Sequence, residues 1–212
     1  MRNIIFDWSG TLINNRVAMY MAVKTIFSDY GKKLTYTEFR KEFKQPLYAF
    51  YRHHLPDSSE KEIKEKFLWY YSKEETSKLF PGILSALRGL KKSSSLFVFS
   101  SHPIGVLEKE MKENGLMSLI THYQGDVREK KEELSDFVSK HNLRNEETCY
   151  VGDMTDDIEA ARRSKIASIA VEWGYQKAEM LSSAHPNCTL HFTSQLSKLQ
   201  ELNGMQKHAG KE

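Results

Sequence analysis

Three short apolar runs in this chain each stop at an acid or a hydroxyl. Asn3-Ile4-Ile5-Phe6 runs into Asp7 and a Ser9-Gly10 turn, Leu96-Phe97-Val98-Phe99 into Ser100-Ser101, and Cys149-Tyr150-Val151 into Gly152-Asp153. Runs this short, apolar and bounded by polar turns read as buried strands. Ala167–Val171 reads as another strand, and a short one is expected near 119–123. Helical segments separate them: one carries Ile83, Leu84, Leu87 and Leu90 after Pro81, one runs through Val106, Leu107 and Met111 to Gly115, and others cover about 131–141 and 157–164. Strand–helix alternation predicts an α/β fold with a parallel sheet covered on both faces.

The stretch from about 16 to 78 breaks the alternation after the first strand. It carries no strand signal. Val17, Tyr20, Met21, Lys24 and Phe27 share one face of a helix ending before Gly31. Thr35-Tyr36-Thr37-Glu38 and Ser59-Glu60-Lys61-Glu62 both fit the capping box, a hydroxyl three residues before a glutamate. A small packed helical unit is therefore expected here. Weaker signals continue to about 202, and the tail from Gly204 is expected to be frayed.

Several classes are excluded. Among 212 residues there are 24 aromatics against 11 Gly and 5 Pro, which rules out disordered and collagen-like chains. No apolar run approaches the ~18 residues that span a bilayer, and the acid at Asp7 comes too early for a secretory signal. Cys149 and Cys188 cannot form a disulfide framework, so a reducing cytoplasm is the expected compartment. The net charge of +3 comes with separated basic pairs, Lys91-Lys92, Lys130-Lys131 and Arg162-Arg163, rather than a basic stripe; this argues against a nucleic-acid partner.

In open α/β sheets ligands bind beyond the carboxyl ends of the strands. Asp7 and Ser9, Ser100 and Ser101, and Asp153 with Asp157 all fall at that rim. Asp153 and Asp157 lie four apart where a strand gives way to a helix. If the helix starts near Thr155 both can face the rim, and with Asp7 they would form an oxygen cluster suited to Mg²⁺. The alternative for Asp156 and Asp157 is helix capping. Lys130 and Lys131 are either solvated charges or, at an acidic rim, a means of holding an anionic substrate. Ser100 lacks a Gly-x-Ser-x-Gly context, phosphate-binding glycine loops are absent, and the eight histidines, His53-His54 included, have no zinc spacing.

Phe6-Asp7-Trp8-Ser9-Gly10-Thr11-Leu12, the strand ending in Ser100, Lys131, and Gly152-Asp153-x-x-x-Asp157 occur in an order that resembles the haloacid dehalogenase-like hydrolases. Leu79-Phe80-Pro81-Gly82-Ile83 resembles that family's return from a helical cap to the core. The resemblance covers roughly residues 3–175 and is nearest to the phosphoglycolate phosphatase-like branch. It implies a Rossmann-like three-layer core at 1–13 and 79–203, an all-helical cap at 14–78 and a flexible tail at 204–212. It further implies Asp7 as nucleophile, Ser100 with Ser101 and Lys131 on the phosphate, and Mg²⁺ held by Asp7, the Ser9 carbonyl, Asp153 and Asp157. A small phosphorylated substrate and a monomer or homodimer are expected. Lys44, Gln45, Tyr48 and Arg52 of the cap are candidates for reading the substrate's other end, or an ordinary helix surface.

One position departs from the resemblance. Where the family's phosphatases carry a second, acid/base Asp, this chain has Ser9, whose hydroxyl cannot replace a tuned carboxyl group. Three readings follow: a magnesium-dependent phosphatase of reduced or specialised activity, with Ser9 replacing that Asp and an aspartyl-phosphate intermediate; a carbon–phosphorus hydrolase resembling phosphonoacetaldehyde hydrolase, needing a cap amine such as Lys24 or Lys44; or a non-catalytic phosphate-binding or interaction module.

Overall fold

The computed structural model describes residues 1–43, 47–74 and 77–201. The chain divides into two compact units, one formed by Met1–Asn14 and the chain from Lys78 onward, the other by Asn15–Ser77.

The first unit is built on a six-stranded sheet. Its strands are β1 (Asn3–Phe6), β4 (Ser95–Phe99), β5 (His122–Gln124), β6 (Thr148–Gly152), β7 (Ala167–Val171) and β8 (Cys188–Leu190). Their order is β5-β4-β1-β6-β7-β8, and every pairing is parallel. A two-stranded antiparallel pair, β2 (Ile13–Asn14) with β3 (Lys78–Leu79), stands beside it, at the two points where the chain leaves and re-enters this unit. The fold is α/β with a parallel core sheet and a helical insertion between its early strands.

Period-two alternation distributes the core over both faces of the sheet. Ile4, Phe6, Leu96, Val98, Cys149 and Val151 pack with Ile83, Leu87, Leu107 and Met111, which come from helices α5 (Ile83–Leu90) and α6 (Ile104–Glu113). Ile5, Phe97, Phe99 and Tyr150 face the other way, against Leu134, Phe137, Ala160 and Ala161 of helices α7 (Lys130–Lys140) and α8 (Thr155–Arg163). Strands buried on both sides are apolar over most of their length, as Ile4–Phe6, Leu96–Phe99 and Cys149–Val151 are here. The register sets Phe6 opposite both Val98 and Val151, so the chain leaves the three central strands at one level, just where Asp7, Ser100 and Asp153 follow.

The second unit is helical: α1 (Arg16–Asp29), α2 (Tyr36–Glu42), α3 (Leu47–His54) and α4 (Glu60–Tyr71). Thr35 and Glu38 form the full capping box at the start of α2, and the Ser59 hydroxyl accepts from the Glu62 amide at the start of α4. The face of α1 differs from the one expected. Met19, Ala22, Val23, Ile26 and Phe27 are buried, whereas Val17 is 66% exposed and Lys24 is exposed. The apolar residues of α1 are distributed widely enough to permit two phases, and packing against α4 selects one. Pro81 does not open α5 but precedes its cap, Gly82, and the short strand expected near 119–123 begins at His122.

Lys44 and Gln45 lie outside the described residues. Tyr48 is half-buried and Arg52 exposed, both on α3. Helix α9 (Ala178–Ser183) completes the described α-helices, and no described helix is long and apolar enough to cross a membrane.

Candidate active site

Asp7, Asp153 and Asp157 come from two loops and one helix to a single buried point. Each offers a carboxylate oxygen within 4.8 Å of the others'. Asp7 is the first residue after β1, and its amide donates to the Val151 carbonyl at 2.9 Å. Asp153 follows β6 and is fully buried. Its Oδ1 accepts from the Thr11 hydroxyl at 2.9 Å and its Oδ2 from the Tyr175 amide at 2.7 Å. Asp157 lies in the first turn of α8, where its Oδ2 accepts from the Met154 amide at 3.0 Å. That contact is a helix cap, but it occupies only one oxygen; Oδ1 belongs to the cluster.

Close backbone approach makes room for these side chains. A Cβ on Gly174 would lie 2.2 Å from the Asp153 Cβ, and one on Gly10 (φ 81°) 2.4 Å from Asp153 Oδ2. Glycine is the residue that fits both places.

Lys130 is the cation of the cluster. Its Nζ lies 2.9 Å from Asp7 Oδ1 and 2.8 Å from Asp157 Oδ1, and its side chain is 2% exposed. The sequence reading assigned this role to Lys131, and the structure corrects it by one residue. Lys131 Nζ instead pairs with Asp156 Oδ1 at 3.2 Å and with Glu159, on the half-exposed outer side of α7 and α8. Successive helix residues are turned by about 100°, so adjacent lysines cannot share a site. The phase was readable. Leu134, Phe137 and Val138 form the buried face of α7, and Lys130, not Lys131, extends that face at i−4 from Leu134.

Three carboxylates against one ammonium leave the buried cluster two negative charges in excess when all are ionised. Burial, then the neighbouring carboxylates, raises the Asp153 carboxyl well above the usual range. Asp7 is raised too, chiefly by burial and further by Asp157, with Lys130 opposing. Burial disfavours the Lys130 charge, but Asp157 and Asp7 outweigh it and hold the ammonium's pKa well above normal. An all-oxygen donor set with this charge deficit fits a hard divalent cation.

This cluster overturns the expectation that function here is defined by Ser9 replacing an acid/base Asp. The acidic centre is the buried set Asp7, Asp153 and Asp157. Ser9 is half-buried, and its hydroxyl makes a long 3.4 Å hydrogen bond with His102 Nδ1. Ser100 is buried; its hydroxyl accepts from the His102 amide at 3.2 Å. Ser101 is half-buried, with a buried hydroxyl that meets no protein partner.

The sequence reading names Lys130 only together with Lys131, and it does not single out Thr11, Tyr175, His102 or Glu110. Glu110, 3% exposed on α6, accepts from the Trp8 indole N–H at 2.7 Å and lies 3.2 Å from His102 Nε2. The contact between Trp8 and Glu110 spans 102 residues of sequence, which no local pattern signals. A charged residue on the apolar face of a helix was the available clue, since such a group stays buried only when paired.

The chain thus combines an α/β core, a helical insertion and a buried carboxylate cluster at the strand ends. The sequence matches the family of haloacid dehalogenase-like hydrolases over residues 4–171, and the chain belongs to that family. Two proteins named phosphoglycolate phosphatase are similar to it. The one from Synechococcus elongatus is 33% identical over 121 residues, 56% of this chain and 57% of that protein. The one from Aquifex aeolicus is 28% identical over 95% of this chain and 97% of that protein. Among solved structures, a haloacid dehalogenase-like hydrolase from Streptococcus pneumoniae superposes with a TM-score of 0.81 at 22% identity, covering 92% of this chain and 96% of the other. A predicted phosphatase from Clostridium acetobutylicum gives 0.85 at 19% identity over 95% and 99%. These two likenesses speak to the fold alone.

Proposed function

We propose that this chain is a Mg²⁺-dependent phosphoric monoester hydrolase acting on a small phosphorylated molecule. The observation that carries the reading is the buried cluster of Asp7, Asp153 and Asp157 with Lys130 as its cation. A cluster two charges short of neutrality suits a divalent ion and an arriving phosphate dianion together, the ion screening one from the other.

In this reading Asp7 is the nucleophile that meets phosphorus. Lys130 holds Asp7 in place by a 2.9 Å ion pair and favours its ionised form against the effect of burial. Asp153, fixed by Thr11 and Tyr175, and Asp157, fixed by the Met154 amide, would hold the cation with Asp7 and the Ser9 carbonyl. Mg²⁺ supplies charge neutralisation at the phosphate oxygens. Ser100 and Ser101 follow β4 at the same rim, and the unpartnered Ser101 hydroxyl and that of Ser100 are candidates for the phosphate oxygens. Tyr48 and Arg52 are kept as candidates for substrate recognition. Lys131 has no place in this mechanism.

The relatives named phosphoglycolate phosphatase favour 2-phosphoglycolate as the first substrate to try, and with it that branch of the family. Phosphate release from 2-phosphoglycolate and from an aryl phosphate should require Mg²⁺ and disappear in Asp7→Asn. No release from either, or release that persists in Asp7→Asn, would refute the proposal.

A further inference from the structure

Two residues beyond Asp7 are gripped by a buried polar chain that the mechanism above does not use. Glu110 Oε2 accepts the Trp8 indole N–H at 2.7 Å and sits 3.2 Å from His102 Nε2, while His102 Nδ1 lies 3.4 Å from the Ser9 hydroxyl. Trp8 is fully buried, His102 is 4% exposed and Glu110 is 3% exposed. His102 Nε2 thus faces the Glu110 carboxylate and Nδ1 faces the Ser9 hydroxyl, which sets the ring between the two.

His102 is itself fixed from both sides. Its amide donates to the Ser100 hydroxyl at 3.2 Å, and its carbonyl accepts from the Asp126 amide at 2.8 Å. Gly125 passes so close that a Cβ there would lie 2.8 Å from that carbonyl. The chain from α6 to the loop after β1 is thus anchored at the far end, on a helix and a tight loop. A carboxylate in an apolar interior is costly unless its partners are fixed. Glu110 holds the Trp8 indole and lies against His102, which in turn meets Ser9.

We propose that Glu110 and His102 are positioning residues for the metal site. They clamp Trp8 and Ser9 so that the segment following Asp7 stays aligned with Asp153 and Asp157. Neither residue touches the reacting atoms. The proposal rests on the reading of the carboxylate cluster as a divalent-cation site, and partners one step removed from a metal typically change affinity by about 10–100-fold when lost.

The test is Mg²⁺ titration by calorimetry on the full chain, with melting temperature in EDTA read alongside. Asp153→Asn controls for the cluster itself. Glu110→Leu leaves Trp8 without its acceptor and removes the carboxylate beside His102, whereas Glu110→Gln keeps an acceptor for the indole. We expect Glu110→Leu to weaken Mg²⁺ binding about tenfold or more, and Glu110→Gln to recover most of it, within about threefold of wild type. His102→Leu should weaken binding in the same direction. If Asp153→Asn abolishes Mg²⁺ binding while Glu110→Leu and His102→Leu bind as wild type does, the clamp is refuted and the cluster stands. If Glu110→Leu does not fold, His102→Leu and Glu110→Gln decide: wild-type affinity in His102→Leu refutes the clamp. A drop in melting temperature with unchanged affinity marks a merely structural role and also refutes it. Mg²⁺ binding that survives in Asp153→Asn overturns the cluster reading on which the clamp depends.

Discussion

Replacing Lys130 with methionine keeps most of the aliphatic stem and deletes the ammonium. Its side chain is 2% exposed and bridges Asp7 and Asp157 at 2.9 and 2.8 Å. Removing one partner of a buried ion pair costs about 3–5 kcal/mol, because the remaining charge is left uncompensated. Protonation of the carboxyls limits that cost, since Asp7 and Asp153 already have raised pKa values. The lower end, about 3 kcal/mol, is therefore expected. For a chain of this size that is a fall in Tm of roughly 6–12 °C in EDTA at neutral pH. Lys131→Met is the matched control. Its side chain is 31% exposed and its pairs with Asp156 and Glu159 lie at the surface, so a loss of about 0–1 kcal/mol, under roughly 4 °C, is expected. Turnover of a phosphate ester should fall at least ~100-fold in Lys130→Met and stay within about threefold in Lys131→Met. Differential scanning fluorimetry and a phosphate-release assay read both. Equal effects of the two substitutions, on Tm and on rate, would refute the assignment of Lys130 as the site's cation.

Other outcomes follow from the same geometry. Asp7→Asn should abolish turnover while leaving the EDTA Tm equal or higher, since it removes one of three crowded carboxylates; a fall in that Tm would contradict the charge excess. The carboxyls of Asp7 and Asp153 have folded pKa values raised above their unfolded ones, so the stability they contribute is full below the ordinary carboxylate range and is lost as pH rises through the raised values. A divalent cation competes with those protons, so the Tm gain from Mg²⁺ should be larger at pH 8 than at pH 5; a gain that is larger at pH 5 would be the opposite of this linkage. Gly174→Ala would drive a methyl to 2.2 Å from the Asp153 Cβ and should cost about 1–3 kcal/mol together with most of the Mg²⁺ response. A wild-type Tm and Mg²⁺ response in that variant would show that the approach is less tight than described.

What could be read from the sequence divides along the range of the interactions. Asp7, Asp153 and Asp157 were legible because each is tied to a local event, a strand end or the first turn of α8, and parallel strands deliver such ends to one rim. The helical insertion was legible from capping boxes and the missing strand signal. The short β2–β3 pair was not, because two-residue strands joined across more than sixty residues leave no periodic trace. Lys130 against Lys131 is a question of helix phase at a first turn, which the apolar residues at 134, 137 and 138 answer only when read backward. The face of α1 failed for a related reason: its sequence permits more than one buried stripe. Thr11 and Tyr175 meet Asp153, and Glu110 and His102 meet Trp8 and Ser9, across long stretches of chain that only the closed fold brings together.

The proposed site, three buried carboxylates with Lys130, depends on a divalent cation to act on phosphate esters. The most direct measurement is the release of inorganic phosphate from a panel of phosphate monoesters, with Mg²⁺ and with EDTA, by the wild-type chain and by Asp153→Asn. Release should require Mg²⁺ and fall at least ~100-fold in the variant at saturating substrate. Release that is undiminished in EDTA, or equal in the two proteins, would contradict it.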